Sequence, residues 1–202
     1  MPQHIVLASS NAGKIREIQA ILGEASFCIR SQADWQVPDA EETGTTFIEN
    51  AILKARHAAL LTGLPCIADD SGLAVDALQG APGIRSARYA GEPSDDTRNN
   101  SKLLDALTQV PEPQRGARFH CVMAFMLHAE DPAPLVAHGQ WEGRILTAPR
   151  GDHGFGYDPL FWVPGQQCAS AELAPSVKNQ ISHRGQALRQ LLPQLQALFT
   201  DH

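Results

Sequence analysis

The chain reads as an α/β protein with a mixed sheet, and three patterns predict it. In the first third, short apolar runs alternate with stretches of helical periodicity. From residue 118 the period changes to β-rich runs, RFHCVMAFML (118–127) and PLVAHGQWEG (134–143). The chain closes on a leucine stripe at helical spacing, and its 202 residues suffice for one domain, or two small lobes, with a substantial core.

Each element has its own signal. IVLA (5–8) suits a buried strand. Ile15, Ile18, Ile21 and Leu22 then recur at helical spacing, with Asn11 as N-cap and Gly23 as the stop. A second helix opens on a Thr46/Glu49 capping box, presents Ile48, Ile52, Ala55 and Ala59 on one face, and ends at Gly63. PCIAD (65–69) is another buried strand, and a shorter helix starting near Ser94 carries Leu103, Leu104 and Leu107. The two β-rich runs flank the turn signal EDPAP and predict an antiparallel pair, and DPLFWVPG (158–165) holds a further strand. In the last helix Leu188, Leu191, Leu192, Leu195 and Leu198 share a stripe that Pro193 should kink or interrupt.

Composition narrows the function. A net charge of −6 argues against a general nucleic-acid binder, which usually carries a basic excess. Cys28, Cys66, Cys121 and Cys168 are widely spread, with no CxxC pair, which reads as free thiols in a reducing cytosol. MPQHIVLASSN lacks the features of a signal peptide, and no stretch approaches about 18 apolar residues. The expectation is a soluble cytoplasmic protein with no membrane partner.

Five stretches carry chemistry. IADDSG (67–72) runs an apolar strand into two adjacent carboxylates, which are costly there unless something positive meets them. Side chains alternate along a strand, so Asp69 and Asp70 would face one site only through a turn, and Ser71-Gly72 makes a turn available. SSNAGK (9–14) joins a strand to a helix, where free N–H groups and the dipole favour an anion. It is not a P-loop, because Ala8 and Ile15 replace the required Gly and Ser/Thr, and a capped helix with a solvated lysine is the plain alternative. Glu41 and Glu42 precede the second helix, either as ordinary dipole partners or as ligands joining Asp69 or Asp70 around Mg²⁺. GDHGFGYDP (151–159) sets glycines around Phe155 and Tyr157, suiting either a flexible loop or a backbone that approaches a flat, stacked ligand. Finally, Lys178, His183 and Arg184 sit where the last helix should begin, against the dipole, an arrangement that stability alone does not favour.

Taken in order, SSNAGKIREI, EETGTTFIENAILKARHA, IADDSGLAVDALQGAPGIRSARYAG, ARFHCV, GFGYDPLF and ISHRGQAL closely resemble the inosine triphosphate pyrophosphatase family, whose bacterial members are XTP/dITP diphosphatases. The likeness spans nearly the whole chain. Ser9-Ser10 stand where many members have Thr-Gly, with the hydroxyl retained.

The resemblance implies a two-lobed fold with a long mixed sheet, a nucleotide cleft between lobes and a homodimer. It also implies Mg²⁺-dependent cleavage of ITP, dITP and XTP to the monophosphate and pyrophosphate. By position it makes Ser9, Ser10, Asn11, Ala12, Gly13 and Lys14 contacts to the triphosphate. Asp70 becomes the catalytic acidic residue, as proton acceptor or metal ligand, with Asp70, Glu41, Glu42 and Asp69 as metal candidates. Ser71, Phe155, Gly156, Tyr157, Asp158, Lys178, His183 and Arg184 complete the nucleotide site. A base with a 6-keto oxygen calls for donors, for which His183 and Arg184 are the choice, with Phe155 or Tyr157 stacking on the ring. A triphosphate carries about four negative charges, so carboxylates approach it only with a cation between. The competing readings are a non-catalytic nucleotide-binding module and a phosphohydrolase that releases orthophosphate.

Overall fold

The structure, a computed structural model, describes residues 3–22 and 27–200; the helix stop expected at Gly23 lies outside the described residues. Among these, β1 (Gln3–Ala8), β2 (Phe27–Ser31), β3 (Cys66–Val75), β4 (Gly116–Met126), β5 (Leu135–Ile145), β6 (Phe161–Val163) and β7 (Cys168–Ala169) form one sheet. Their order is β2-β1-β3-β4-β5-β6-β7. β1 runs parallel to β2 and β3, whereas β6 is antiparallel to β5 and β7. The sheet is therefore mixed, and the parallel pairs are reached through crossovers that contain helices. The helices are α1 (Ala12–Leu22), α2 (Phe47–Thr62), α3 (Asp96–Ala106), α4 (Pro175–Ile181) and α5 (His183–Thr200).

Local chemistry explains the helix ends. The Asn11 carboxamide accepts from the Lys14 N–H at 3.0 Å, starting α1. Thr46 and Glu49 form the expected capping box, and Gly63 closes α2 in the left-handed region at φ 67°. α3 is capped by Asp95, one residue beyond Ser94.

The chain divides into two compact units, one of Met1–Asp70, Cys121–Gly139 and His183–His202, the other of Ser71–His120 and Gln140–Ser182. In the first unit, strand alternation sorts the core onto two faces. Ile5, Leu7, Ile67, Cys121, Met123 and Phe125 pack with Ile18 of α1 and Leu188, Leu191 and Leu195 of α5. Val6, Ala8, Cys66, Ala68, Val122 and Ala124 pack with Ala51, Ala55, Ala58 and Ala59 of α2, where small side chains let the helix lie close. The second unit has its own core, which includes Leu73, Leu103, Phe119, Trp141, Tyr157 and Phe161.

Four expectations are corrected. No turn interrupts IADDSG: β3 continues through Asp69, Asp70, Ser71 and Gly72 to Val75, because its acids find cations on the helices and need no exposure. Ile48 is 48% exposed; it lies in the first turn of α2, and burial begins at Asn50 and Ala51. Pro193 does not end α5, since it is exposed while Leu188, Leu191 and Leu195 on either side remain buried and hold both halves. Lys178 belongs to a separate short helix, α4, which begins with Pro175 and ends before Ser182.

Candidate functional site

Because β3 stays extended, Asp69 and Asp70 point to opposite faces of the sheet, and each meets its own cations. Asp69, 1% exposed, lies on the α1/α5 face. Its Oδ2 is 3.1 Å from Lys14 Nζ and 3.2 Å from Arg184 Nη2, and Arg184 Nη1 also binds Glu17 of α1. Burial opposes ionisation of Asp69, but Lys14, Arg184 and Lys54 outweigh it and hold the carboxyl well below the usual range. The buried Cys121 thiol, 4.0 Å from Asp69 Oδ2, is pushed up to about 12 by burial and by that carboxylate, so it stays protonated.

Asp70, 5% exposed, faces α2. Its Oδ1 accepts from Lys54 Nζ at 2.8 Å, and the same ammonium reaches Glu42 Oε1 at 3.0 Å. Asn50 Nδ2 stands 3.5 Å from Asp70 Oδ2, while Asn50 Oδ1 accepts from the Gly44 N–H at 2.8 Å. A side chain at Gly44 would strike Asn50 Oδ1, so glycine permits this close approach of the acidic loop. Burial raises the Asp70 pKa, with Lys54 and Lys14 opposing it in part. Burial works against the Lys54 charge, but Asp70, Asp69 and Glu42 keep that pKa raised. Asp70 is thus a carboxylate more basic than usual, held closely at Oδ1 by Lys54 and at longer range at Oδ2 by Asn50.

The 9–14 segment forms the entry to α1. Ser9 Oγ accepts from the Asn11 N–H at 3.2 Å, and Ser10 Oγ donates to Asp39 Oδ2 at 2.7 Å. Ala12 and Gly13 open the helix, and Lys14 projects to Asp69. Glu41 is exposed on the loop before α2, whereas Glu42 joins Lys54.

In the second unit, Asp158 is the hub. Lys178 Nζ lies 2.5 Å from Asp158 Oδ2, Ser170 Oγ donates to Oδ1 at 2.8 Å, and the Phe155 N–H donates to Oδ2 at 2.9 Å. Lys178 also stands 5.1 Å from the centroid of the half-buried Phe155 ring. Tyr157 departs from its expected stacking role. Its ring is buried in the core, and its hydroxyl donates to the Ser86 carbonyl at 2.8 Å, because a phenol needs a partner once buried. Ser71 continues β3 directly after Asp70.

Sequence reasoning missed Lys54, Asn50, Glu17 and Asp39. For Lys54 a signal existed: Ala51, Lys54, Ala55 and Ala58 follow helical spacing, so a lysine lies on the flank of a buried stripe. Glu17, three residues after Lys14 and beside Ile18, is the same kind of signal on α1. Among the described residues no three His, Cys, Asp or Glu side chains are grouped closely enough to hold a metal by themselves. The donor set nevertheless suits a hard cation that takes one or two carboxylates and completes its shell with substrate oxygens. On the α2 face Asp70 and Glu42 outnumber Lys54, and on the α1/α5 face the buried Asp69 Oδ1 has no hydrogen-bond partner among the described residues.

A model of the Ham1 family matches residues 5–194. The dITP/XTP pyrophosphatase of Vibrio cholerae is 63% identical over 187 residues, 93% of this chain and 94% of that protein. The dITP/XTP pyrophosphatase of Escherichia coli O157:H7 is 59% identical over 193 residues, 96% and 98% of the two chains. A solved HAM1 protein from Coxiella burnetii matches with a TM-score of 0.89 at 53% identity, covering 96% of this chain and 99% of that one. The Ham1 protein of Staphylococcus aureus matches at 0.85 with 42% identity, covering 97% and 100%.

Proposed function

Because the chain belongs to the Ham1 family, we propose that it hydrolyses the non-standard purine nucleoside triphosphates ITP, dITP and XTP to the monophosphate and pyrophosphate, with Mg²⁺, cleansing the nucleotide pool. The observation that carries this reading is Asp70, buried and more basic than an ordinary carboxylate, on a strand whose neighbouring side chains are Lys54, Lys14 and Glu42. Asp70 Oδ2 takes the proton of a water whose oxygen attacks the α-phosphorus. The α–β anhydride bond breaks, and pyrophosphate leaves. Lys54 holds Asp70 Oδ1, which aims the other oxygen, and Lys14 serves the polyphosphate from the entry to α1 together with Ser9–Gly13.

Asp70 and Glu42, which converge on Lys54, would hold the metal. When bound, Mg²⁺ neutralises phosphate charge and orients the reacting oxygens. Asp69, on the other face of β3, braces Lys14 and Arg184. Phe155 is the ring that stacks on the base, and His183 is the donor to the 6-keto oxygen. Adenine offers an amino group there, which would leave donors unpaired on both sides.

The same reading includes a homodimer and a cytoplasmic location. Exposed Leu60 and Leu61 near the end of α2 and exposed Leu127 after β4 are apolar surface of the kind a second copy covers. No helix is long and apolar enough to cross a membrane among the described residues, and the four cysteines are free, which suits a reducing compartment. Size-exclusion chromatography with light scattering tests the dimer.

The deciding assay incubates the protein with ITP and Mg²⁺ and identifies the products over many turnovers. IMP plus pyrophosphate supports the proposal. Binding without turnover makes the protein a nucleotide-binding module, and orthophosphate as the first product makes it a different phosphohydrolase.

A further inference from the structure

The Phe155–Gly156 turn is held by α3 through side chains that ordinary stability does not require. The Gly156 N–H donates to Asp96 Oδ2 at 2.7 Å, and Asn100 Nδ2 donates to the Gly156 carbonyl at 2.8 Å. Both polar groups of one loop residue are thus bound by residues four apart on one face of a helix. Gly156 adopts φ +62°, the left-handed region, so the turn has a defined shape that glycine permits. Its preceding residue is fixed as well, by the Phe155 N–H to Asp158 Oδ2 at 2.9 Å.

Three observations set this bracing apart from routine loop satisfaction. A partly exposed loop peptide can bond to water, so neither side chain is needed to satisfy it. Asp95, not Asp96, caps α3, so the Asp96 carboxylate is available for a distant partner. Asn100 keeps its Oδ1 buried with no hydrogen-bond partner among the described residues, a cost accepted while its Nδ2 holds the turn.

We propose that Asp96 and Asn100 are positioning residues that set the Phe155 ring to stack on the purine base. This rests on the reading of Phe155 given under Proposed function and adds the device that orients it. Neither residue touches substrate; each acts through the Gly156 peptide. A ring on a well-fixed turn loses less freedom on binding, so the bracing improves base affinity and leaves phosphate affinity alone.

Calorimetry with IMP and, separately, with inorganic pyrophosphate tests this on the wild type, Asp96→Ala, Asp96→Asn and Asn100→Ala, with melting temperatures alongside. Losing one such hydrogen bond should weaken IMP about fivefold in either alanine variant, with pyrophosphate affinity unchanged. Asp96→Asn should bind IMP as the wild type does, because an amide oxygen also accepts from the Gly156 N–H. In turnover, KM for ITP should rise by the same factor of about five at constant kcat. Unchanged IMP affinity in both alanine variants overturns the proposal. Equal losses for IMP and pyrophosphate, or an Asp96→Asn no better than Asp96→Ala, also overturn it. Should the wild type bind IMP yet release no pyrophosphate from ITP, the hydrolytic reading fails, while the IMP affinities still decide the bracing. A wild type that does not bind IMP overturns the bracing proposal, while the products formed from ITP still decide the hydrolytic reading.

Discussion

Arg184 Nη2 lies 3.2 Å from Asp69 Oδ2, joining residues 115 positions apart. The same guanidinium binds Glu17, so Arg184 is committed to two carboxylates at the start of α5. This shifts its expected role from reading the base to holding Asp69, and through Asp69 the placement of Lys14. Arg184→Ala leaves the buried Asp69 and the half-buried Glu17 short of a cation, which should cost about 3–5 kcal/mol of stability. kcat/KM should fall by one common factor for ITP and ATP. Urea midpoints and paired kinetics check this; a selective loss for ITP at unchanged stability returns Arg184 to base recognition.

Asp70→Asn should lower kcat by about 10²–10⁴-fold, the usual worth of a positioned proton acceptor. The fold should survive, because an amide oxygen still accepts from Lys54. Steady-state rates with circular dichroism measure both, and near-normal turnover removes Asp70 from the mechanism.

Lys54 bears on the pH dependence. Burial raises the Asp70 pKa, and the Lys54 charge opposes that rise. A group that must be ionised to accept a proton gains activity as pH climbs through its pKa, so the acid limb of kcat/KM reports Asp70. Lys54→Met removes the opposing charge and leaves the burial, which moves that limb to higher pH. Lys54→Arg, keeping the charge, should move it less. An acid limb that stays in place in Lys54→Met assigns the limb to another group.

Lys14→Ala should weaken ITP much more than IMP, since IMP lacks the β- and γ-phosphates that the ammonium serves. Calorimetry with IMP and a non-hydrolysable ITP analogue makes the comparison. Equal weakening places Lys14 in the support of Asp69 instead.

What the sequence determined by itself was local. The Asn11, Thr46/Glu49 and Gly63 helix ends, the apolar runs of β1 and β3, and the grouping of charged residues all rest on interactions within about four residues of chain. The family resemblance added the order of these segments. Only the tertiary structure decided how the charges pair. A strand that seemed to need a turn at Asp69-Asp70 stays extended, because Lys14, Arg184 and Lys54 arrive from helices on opposite faces. Tyr157 enters the core because Ser86 offers its carbonyl from far along the chain. Lys178 meets Asp158 for the same reason, on a short helix that periodicity did not reveal. Burying a charge or a phenol is tolerable only beside a partner, and when that partner is distant in sequence, packing alone can supply it.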